Sequence, residues 1–101
     1  MRIAIVDDLA GDRALLRERL ERQLQRRSVQ ADLLEFESGE AFLAAEREQH
    51  FTAAFLDVYM TGMSGVDAAK ELRTFDTDCL LIFTTTSTDH ALEGFQVRAM
   101  H

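Results

Sequence analysis

The chain has 101 residues, of which 47% are hydrophobic, and a formal net charge of −7 at pH 7. This length predicts a single domain over residues 1–101, and the hydrophobic content is sufficient for a packed core. Because binding to nucleic acid depends on Lys and Arg side chains that neutralise phosphates, we do not expect so acidic a chain to bind DNA by itself.

Cysteine content and hydropathy indicate the compartment. The single cysteine, Cys79, has no partner for an internal disulfide, which favours a reducing cytosol. The apolar run Ile3–Val6 is too short for the hydrophobic part of a signal peptide, and no apolar stretch is long enough to cross a membrane. We therefore expect a cytoplasmic protein without a membrane partner.

The first part of the chain changes from a strand pattern to a helix pattern. Ile3–Val6 is an apolar strand that ends in two acids, Asp7 and Asp8. After a turn over residues 9–11, a helical stretch runs to about residue 27. Its leucines recur at a spacing of four, which predicts one buried face: Leu16, Leu20 and Leu24.

A second strand and helix follow. The segment Ala31–Glu37 alternates between apolar and polar residues, with Leu34 and Phe36 on one side, as is typical of an edge strand. Ser38 is predicted to be the N-cap of a helix that runs to about Gln49. Two residues of this helix are expected to face the core: Phe42 and Ala45.

The central strand is predicted over Ala53–Leu56, because this short run has no polar face to turn toward water. It ends on Asp57, and Gly62 and Gly65 in the next residues permit backbone conformations that other residues resist. A third helix is predicted from Gly65 to about Thr74. Its inward face is expected to contain Val66, Ala69 and Leu72.

The last elements complete an alternating pattern. Cys79–Phe83 is a third buried apolar strand, and it is followed by the polar residues Thr84–Thr86. A fourth helix is predicted from about Thr88 to Val97, with Ala91, Leu92 and Phe95 inward. Strands that alternate with helices predict a parallel sheet with right-handed crossovers, and hence a doubly wound α/β fold with helices on both faces.

Acidic side chains follow two of the predicted strands, at the edge where ligands bind in such folds. If these strands are neighbours, Asp7, Asp8 and Asp57 meet there. At a separation of about 4 Å and an effective dielectric constant of about 20, each pair of carboxylates costs about 4 kcal/mol. Oxygen ligands without His or Cys suit Mg²⁺, which binds through one or two carboxylates and a phosphate. The sequence therefore predicts a site for Mg²⁺ together with an anion.

Each part of this site also has a structural explanation. Asp7 and Asp8 can cap the first helix, and Asp57 can simply begin a turn. A hydroxyl among Thr84–Thr86 can hydrogen-bond an oxygen carried on the Asp57 carboxylate, or these residues can complete the strand and cap the next helix. The three histidines are dispersed in polar surroundings, so we expect no metal role for His50, His90 and His101.

Three segments in this order resemble the response-regulator receiver domains of two-component signalling: IVDD at residues 5–8, LDVYMTGMSG at 56–65 and IFTTTSTDHALEGFQVRA at 82–99. The last segment is most similar to receivers that precede a LytTR-type DNA-binding domain. The resemblance implies a flavodoxin-like sheet with strand order 2-1-3-4-5. It also implies a signalling domain rather than an enzyme, although family members can phosphorylate themselves from small phosphodonors and dephosphorylate themselves.

The resemblance assigns roles to individual residues. It implies that Asp57 accepts a phosphoryl group from a sensor histidine kinase and that the Thr85 hydroxyl bonds that group. Asp8 would bind Mg²⁺ directly, Asp7 mainly through water, and the backbone carbonyl of Tyr59 would be a further ligand, beside Asp57 itself. The output would be transcription, with DNA contacted only through an output domain outside this chain.

The chain departs from the family pattern in two places. Thr61 stands where the family usually has proline. The sequence stops at His101, where the family's fifth strand would begin, so we expect the fifth strand and helix, the aromatic switch residue and the phosphate-binding lysine to be missing. The only lysine, Lys70, has no evident route to the site, and we expect phosphorylation of this incomplete receiver to be impaired. An open apolar edge at Leu80–Phe83, or an uncovered sheet face, would promote self-association.

Two other functions fit parts of the pattern. Phosphatases of the haloacid dehalogenase class use the motif D-x-D-x-T, which Asp57–Thr61 matches except at Tyr59, the position of the second acid. A pseudo-receiver, which binds partners without phosphorylation, is the other alternative, and the missing lysine favours it. A dinucleotide-binding domain is excluded because no G-x-G-x-x-G motif follows the first strand.

Overall fold

The fold is a twisted β-sheet with helices between its strands. The computed structural model describes residues 1–85 and the backbone of residues 97 and 98. The elements in chain order are β1 (Arg2–Val6), α1 (Ala10–Arg26), β2 (Asp32–Phe36), α2 (Gly39–Glu48), β3 (Ala53–Asp57), α3 (Gly65–Leu72), β4 (Leu80–Thr84) and β5 (Val97–Arg98).

The first four strands are parallel and lie in the order β2-β1-β3-β4, which confirms the predicted flavodoxin-like arrangement. β1 and β3 are direct neighbours, with Val6 opposite Leu56. β4 lies on the other side of β3, with Asp57 opposite Thr84. The residues that follow β1, β3 and β4 therefore meet at one edge of the sheet, which we call the carboxyl edge.

A short fifth strand, which the sequence analysis did not predict, lies beside β4. Val97–Arg98 runs antiparallel to it, with Val97 opposite Phe83 and Arg98 opposite Ile82. The prediction of a helix to Val97 is thus wrong at its last residue, and its other residues lie outside the described part. The predicted open edge is also wrong at Ile82 and Phe83, because backbone groups from the same chain occupy ladder positions there. Self-association of the chain stays a prediction.

Helices cover both faces of the sheet, as a doubly wound fold requires. On one face, α2 and α3 enclose the larger core, which includes the fully buried side chains of Phe42, Leu56, Leu72 and Leu81. On the other face, the predicted leucine stripe of α1 packs against the sheet: Leu16, Leu20 and Leu24 contact a cluster that contains Ile3, Ala53 and Phe55. This arrangement holds the central strands β1 and β3 between two apolar layers.

The helices begin much as their sequences predict. Ser38 is the N-cap of α2 and accepts a hydrogen bond from the backbone N–H of Ala41, and Ser64 does the same for α3. The inward face of α3 differs from the prediction, because Val66 is 38% exposed. The buried residues of α3 recur at positions i, i+3, i+4 and i+7 from its first residue: Gly65, Ala68, Ala69 and Leu72. Among the helices that the structure describes, none has the length and apolarity needed to span a bilayer.

Candidate functional site

The carboxyl edge of the sheet brings together the three acids that follow β1 and β3. One carboxylate oxygen from each of Asp7, Asp8 and Asp57 lies within 4.8 Å of the other two. This proximity follows from the strand pairing, because β1 and β3 run in the same direction and end side by side. The structure thus places in one group the carboxylates that the sequence pattern associates.

Two of the three carboxylates are buried. Asp57 is 2% exposed and Asp7 is 4% exposed, whereas Asp8 is only half-buried. Burial, and then the negative charge of Asp7, raise the pKa of Asp57 to about 6. Burial also raises the pKa of Asp7. The folded protein therefore holds negative charge at this edge against an electrostatic penalty, as is common where charge serves function rather than stability.

Backbone N–H groups orient each carboxylate. Leu9 donates to Asp7 Oδ1 at 2.9 Å, and Tyr59 donates to Asp57 Oδ1 at 3.3 Å. Helix α1 has Leu9 as its N-cap residue and no side-chain capping bond, so the explanation of Asp7 and Asp8 as caps of this helix is wrong. The three acids instead lie close to one another, and the only described hydrogen bond from this helix end to the Asp7 carboxylate comes from the N–H of Leu9 itself.

Asp8 reaches across to the loop after β3. Its Oδ2 accepts a hydrogen bond of 2.9 Å from the backbone N–H of Thr61, 53 residues further along the chain. A proline, which the family pattern places at this position, has no N–H and cannot make this bond. Thr61, which stands in place of proline, therefore gives Asp8 a hydrogen bond that proline could not make.

Glycine is required where the loop after β3 enters α3. A Cβ atom on Gly65 would lie 2.3 Å from the carbonyl oxygen of Asp57, so only glycine fits without a backbone shift. Gly62 has a φ of +81°, in the left-handed region that favours glycine. The two glycines predicted to shape this loop thus allow the chain to turn closely around the end of β3.

Thr85 follows β4 at the same edge. Thr84, its neighbour in sequence, lies opposite Asp57, and the Thr84 carbonyl accepts a hydrogen bond of 3.0 Å from the Val58 N–H. The Thr85 hydroxyl oxygen is buried and has no hydrogen-bond partner among the described residues. An unsatisfied buried hydroxyl costs about 1–3 kcal/mol, so a ligand oxygen is the missing partner that this arrangement suits.

The remaining predicted residues are less tightly associated with the acids. Tyr59 is 54% exposed and contacts Asp57 through its backbone N–H. Thr84 belongs to β4, and Thr86 lies outside the described residues. Lys70 is exposed in the last turn of α3, at the helix end opposite Gly65.

A second group of ligating side chains was not found from the sequence. Glu46, His50 and Asp76 each contribute one oxygen or nitrogen atom to a group in which all atoms lie within 4.8 Å of one another. The spacing of four between Glu46 and His50 is the signal that was present in the sequence. Asp76 is 26 residues beyond His50, in a loop, and its proximity depends on the tertiary fold.

Comparison with known proteins identifies the family. The family model described as the response regulator receiver domain matches residues 3–101. The chain belongs to the response regulator receiver family. The receiver domain is a signalling domain.

Two relatives, one of them solved in two structures, illustrate the similarity. The sensory transduction protein LytT of Oceanobacillus iheyensis is 32% identical over 90% of this chain. The chain spans only 38% of that protein's length. The response regulator TrrA of Thermotoga maritima, solved in complex with Mg²⁺-BeF, is 28% identical with a TM-score of 0.74, over 91% of this chain and 75% of that one. TrrA was also solved in complex with the histidine kinase ThkA. The match to that structure is 32% identical with a TM-score of 0.62, over 84% of this chain and 68% of that one.

Proposed function

We propose that this domain accepts a phosphoryl group on Asp57 from a sensor histidine kinase, in a reaction that depends on Mg²⁺. The observation that carries the proposal is the group of three carboxylates within 4.8 Å, two of them buried. Among the described residues, none of the ion pairs involves Asp7, Asp8 or Asp57. Such a concentration of negative charge suits a site that takes a cation with an anion.

The donor set fits Mg²⁺ better than a softer ion. All three side chains offer carboxylate oxygens, and the group contains no nitrogen or sulfur ligand. Asp8 and Asp57 would hold the ion, Asp7 would bind it mainly through water, and the Tyr59 carbonyl would be a further ligand. Bound there, Mg²⁺ would neutralise the negative charge of the acids and of a transferring phosphoryl group.

The residues of this chain supply the nucleophile and its surroundings. A carboxylate oxygen of Asp57 attacks phosphorus, the bond from phosphorus to the kinase imidazole nitrogen breaks, and that nitrogen keeps the electron pair. The product is an acyl phosphate on Asp57. The Thr85 hydroxyl is buried and has no hydrogen-bond partner among the described residues. It donates a hydrogen bond to a phosphoryl oxygen.

The kinase partner and the output are also part of the proposal. TrrA, a solved relative, forms a complex with a histidine kinase, which supports a kinase as the phosphodonor here. The chain spans only 38% of its relative LytT. We propose that this domain controls a separate output domain that contacts DNA. We also propose that it acts in the cytoplasm. Lys70 is the chain's only lysine and lies away from the acids, so we propose that phosphorylation of this chain alone is impaired.

The test is phosphorylation of the full chain by acetyl phosphate, followed by measurement of intact mass. We expect one phosphate per chain with Mg²⁺, none with EDTA, none in Asp57→Asn, and much less in Asp8→Asn. Asp67→Asn is the matched control, because Asp67 is an exposed acid in the first turn of α3. A slow reaction is expected, so the time course must extend over hours. An adduct that persists in Asp57→Asn would contradict Asp57 as the phosphoacceptor. The absence of any adduct in the wild type would contradict the proposal and favour a pseudo-receiver.

A further inference from the structure

The edge of the sheet opposite the carboxyl edge contains the second group of ligating side chains. Glu46 lies in the last turn of α2, His50 precedes β3, and Asp76 precedes β4. Because β3 and β4 are parallel, the residues before them lie side by side at what we call the amino edge. His50 Nδ1 is 2.6 Å from Asp76 Oδ2 and 3.6 Å from Glu46 Oε1.

Backbone N–H groups hold the two carboxylates by their other oxygens. Phe51 N–H donates to Glu46 Oε2 at 2.9 Å. The N–H groups of Asp78 and Cys79 donate to Asp76 Oδ1 at 2.8 and 3.0 Å. Each carboxylate is thus oriented by backbone contacts, and its second oxygen lies on the side of the imidazole. Outer contacts of this kind are what fix the ligands of metal sites.

The surroundings of the group leave one side open. The side chains of Glu46 and Asp76 are 1% and 9% exposed, whereas that of His50 is 55% exposed. All three line a cleft of about 370 Å³ at the surface. An ion held by the three side chains would therefore have buried oxygen ligands on one side and room for water on the other.

The neighbouring arginines do not pair with the Glu46 and Asp76 carboxylates. The guanidinium of Arg47, which also lines the cleft, lies 4.1 Å from the centre of the Phe75 ring and 3.5 Å from a Glu71 carboxylate oxygen. Arg73 donates to the backbone carbonyl of Asp76 and not to its carboxylate. Among the described ion pairs, His50 is therefore the only partner that the Glu46 and Asp76 carboxylates have.

We propose that Glu46, His50 and Asp76 form a second metal site, which takes a divalent transition ion such as Zn²⁺. One imidazole nitrogen and two carboxylate oxygens are a ligand set of this class, with a further position left for water. Mg²⁺ prefers oxygen ligands alone and binds imidazole poorly. The two edges of one sheet would thus select different ions. The bond to the metal would be formed by the lone pair of an imidazole nitrogen of His50.

Calorimetric titration of the full chain with ZnCl₂ tests the proposal. The titration uses a background chain that carries both Asp8→Asn and Asp57→Asn, which removes the two carboxylates that would hold an ion directly at the carboxyl edge. A negative result for Zn²⁺ binding is then distinguishable from failure of the proposed phosphorylation. We expect one Zn²⁺ per chain, and a loss of affinity of about tenfold or more in His50→Gln. His90→Gln on the same background is the matched control and should retain the wild-type affinity.

A spectroscopic readout keeps the test independent of stability. Co²⁺ in the same background should give visible absorption that Zn²⁺ displaces and that His50→Gln abolishes, whereas excess Mg²⁺ should leave it unchanged. His50 is half exposed, so its substitution should not prevent folding. The proposal is overturned if His50→Gln binds Zn²⁺ as tightly as the background chain, or if His90→Gln weakens binding equally.

Discussion

The two edges of the sheet hold acids in opposite ways. At the carboxyl edge, Asp7 and Asp57 are buried beside like charge, with backbone N–H groups as their only described hydrogen-bond donors. At the amino edge, Glu46 and Asp76 share a hydrogen bond, and the Asp76 carboxylate also bonds His50 Nδ1. Burial of a carboxylate therefore does not by itself indicate a phosphoacceptor. Among the described residues, no ion pair involves the carboxyl-edge acids, whereas His50 pairs with both amino-edge carboxylates.

The largest effect is expected where the backbone closes around Asp57. Gly65→Ala should destabilise the domain by about 3 kcal/mol, because the new Cβ would overlap the Asp57 carbonyl oxygen at 2.3 Å. Urea unfolding measures this change. Gly11→Ala is the control, since a Cβ there meets nothing within 4 Å and alanine favours the helix by about 0.5–1 kcal/mol. Equal effects of the two substitutions would show that close packing does not define the carboxyl edge.

The amino edge should make stability fall as the pH rises. Burial, and then a hydrogen bond with Asp76, raise the pKa of Glu46 to about 7, so the folded chain holds a proton that the unfolded chain has lost. This contribution is complete below the ordinary glutamate pKa and is lost as the pH rises through about 7. The expected loss is about 3 kcal/mol, and Glu46→Gln should remove it.

Urea unfolding in EDTA at a series of pH values checks this prediction. Burial alone would raise the pKa of Asp76, but its hydrogen bonds with Glu46, Asp78, Cys79 and His50 hold it below the ordinary value. Asp76 therefore titrates at lower pH and does not contribute near neutrality. If Glu46→Gln keeps the wild-type slope between about pH 5 and 7, where only the folded chain holds this proton, the buried proton does not reside on Glu46.

At the carboxyl edge, removal of one charge should stabilise the fold. Asp57→Asn is expected to raise the free energy of unfolding by about 2 kcal/mol near pH 7.5, because the wild-type carboxylate, with its pKa raised to about 6, is ionised there at a cost. Asp67→Asn, at an exposed position, should change stability little or lower it slightly. A destabilised Asp57→Asn chain would mean that the acids are compensated by contacts within the protein.

The smallest effect is the stabilisation by Mg²⁺. Saturating Mg²⁺ should raise the free energy of unfolding by about 1 kcal/mol, because the ion binds the folded chain. Asp8→Asn should abolish this gain, and Glu46→Gln should retain it. Thermal unfolding with and without EDTA measures the difference. Loss of the gain in Glu46→Gln rather than in Asp8→Asn would reverse the proposed assignment of ions to edges.

Much of the fold follows from short-range patterns. The apolar runs of β1 and β3 have no polar face, so their burial and the meeting of Asp7, Asp8 and Asp57 were predictable. β4 was predicted to be equally buried, but within it only Leu81 is fully buried. The exposure of Val66 could not be predicted in this way. The buried stripe of α3 starts from Gly65, and a glycine has no apolar side chain that would mark the buried face in the sequence. The strand at residues 97 and 98 was also missed, because two residues are too few to show a period.

The two candidate sites also differ in how readily the sequence predicts them. The carboxyl-edge acids directly follow strands, and the direction of a parallel sheet is enough to bring them together. The amino-edge group joins a helix end to two loops, and nothing in the sequence fixes the distance from His50 to Asp76. The buried, unpartnered state of the Thr85 hydroxyl is likewise visible only in the structure. Sequence patterns predict where strands end more readily than how loops meet.

The hydrogen bond from the Thr61 amide to Asp8 links ion occupancy to the shape of the loop after β3. Any ion that recruits Asp8 Oδ2 competes with that amide for the same lone pairs. The Thr61 amide proton is therefore a built-in reporter, whose chemical shift and exchange with solvent should follow the loading of the site.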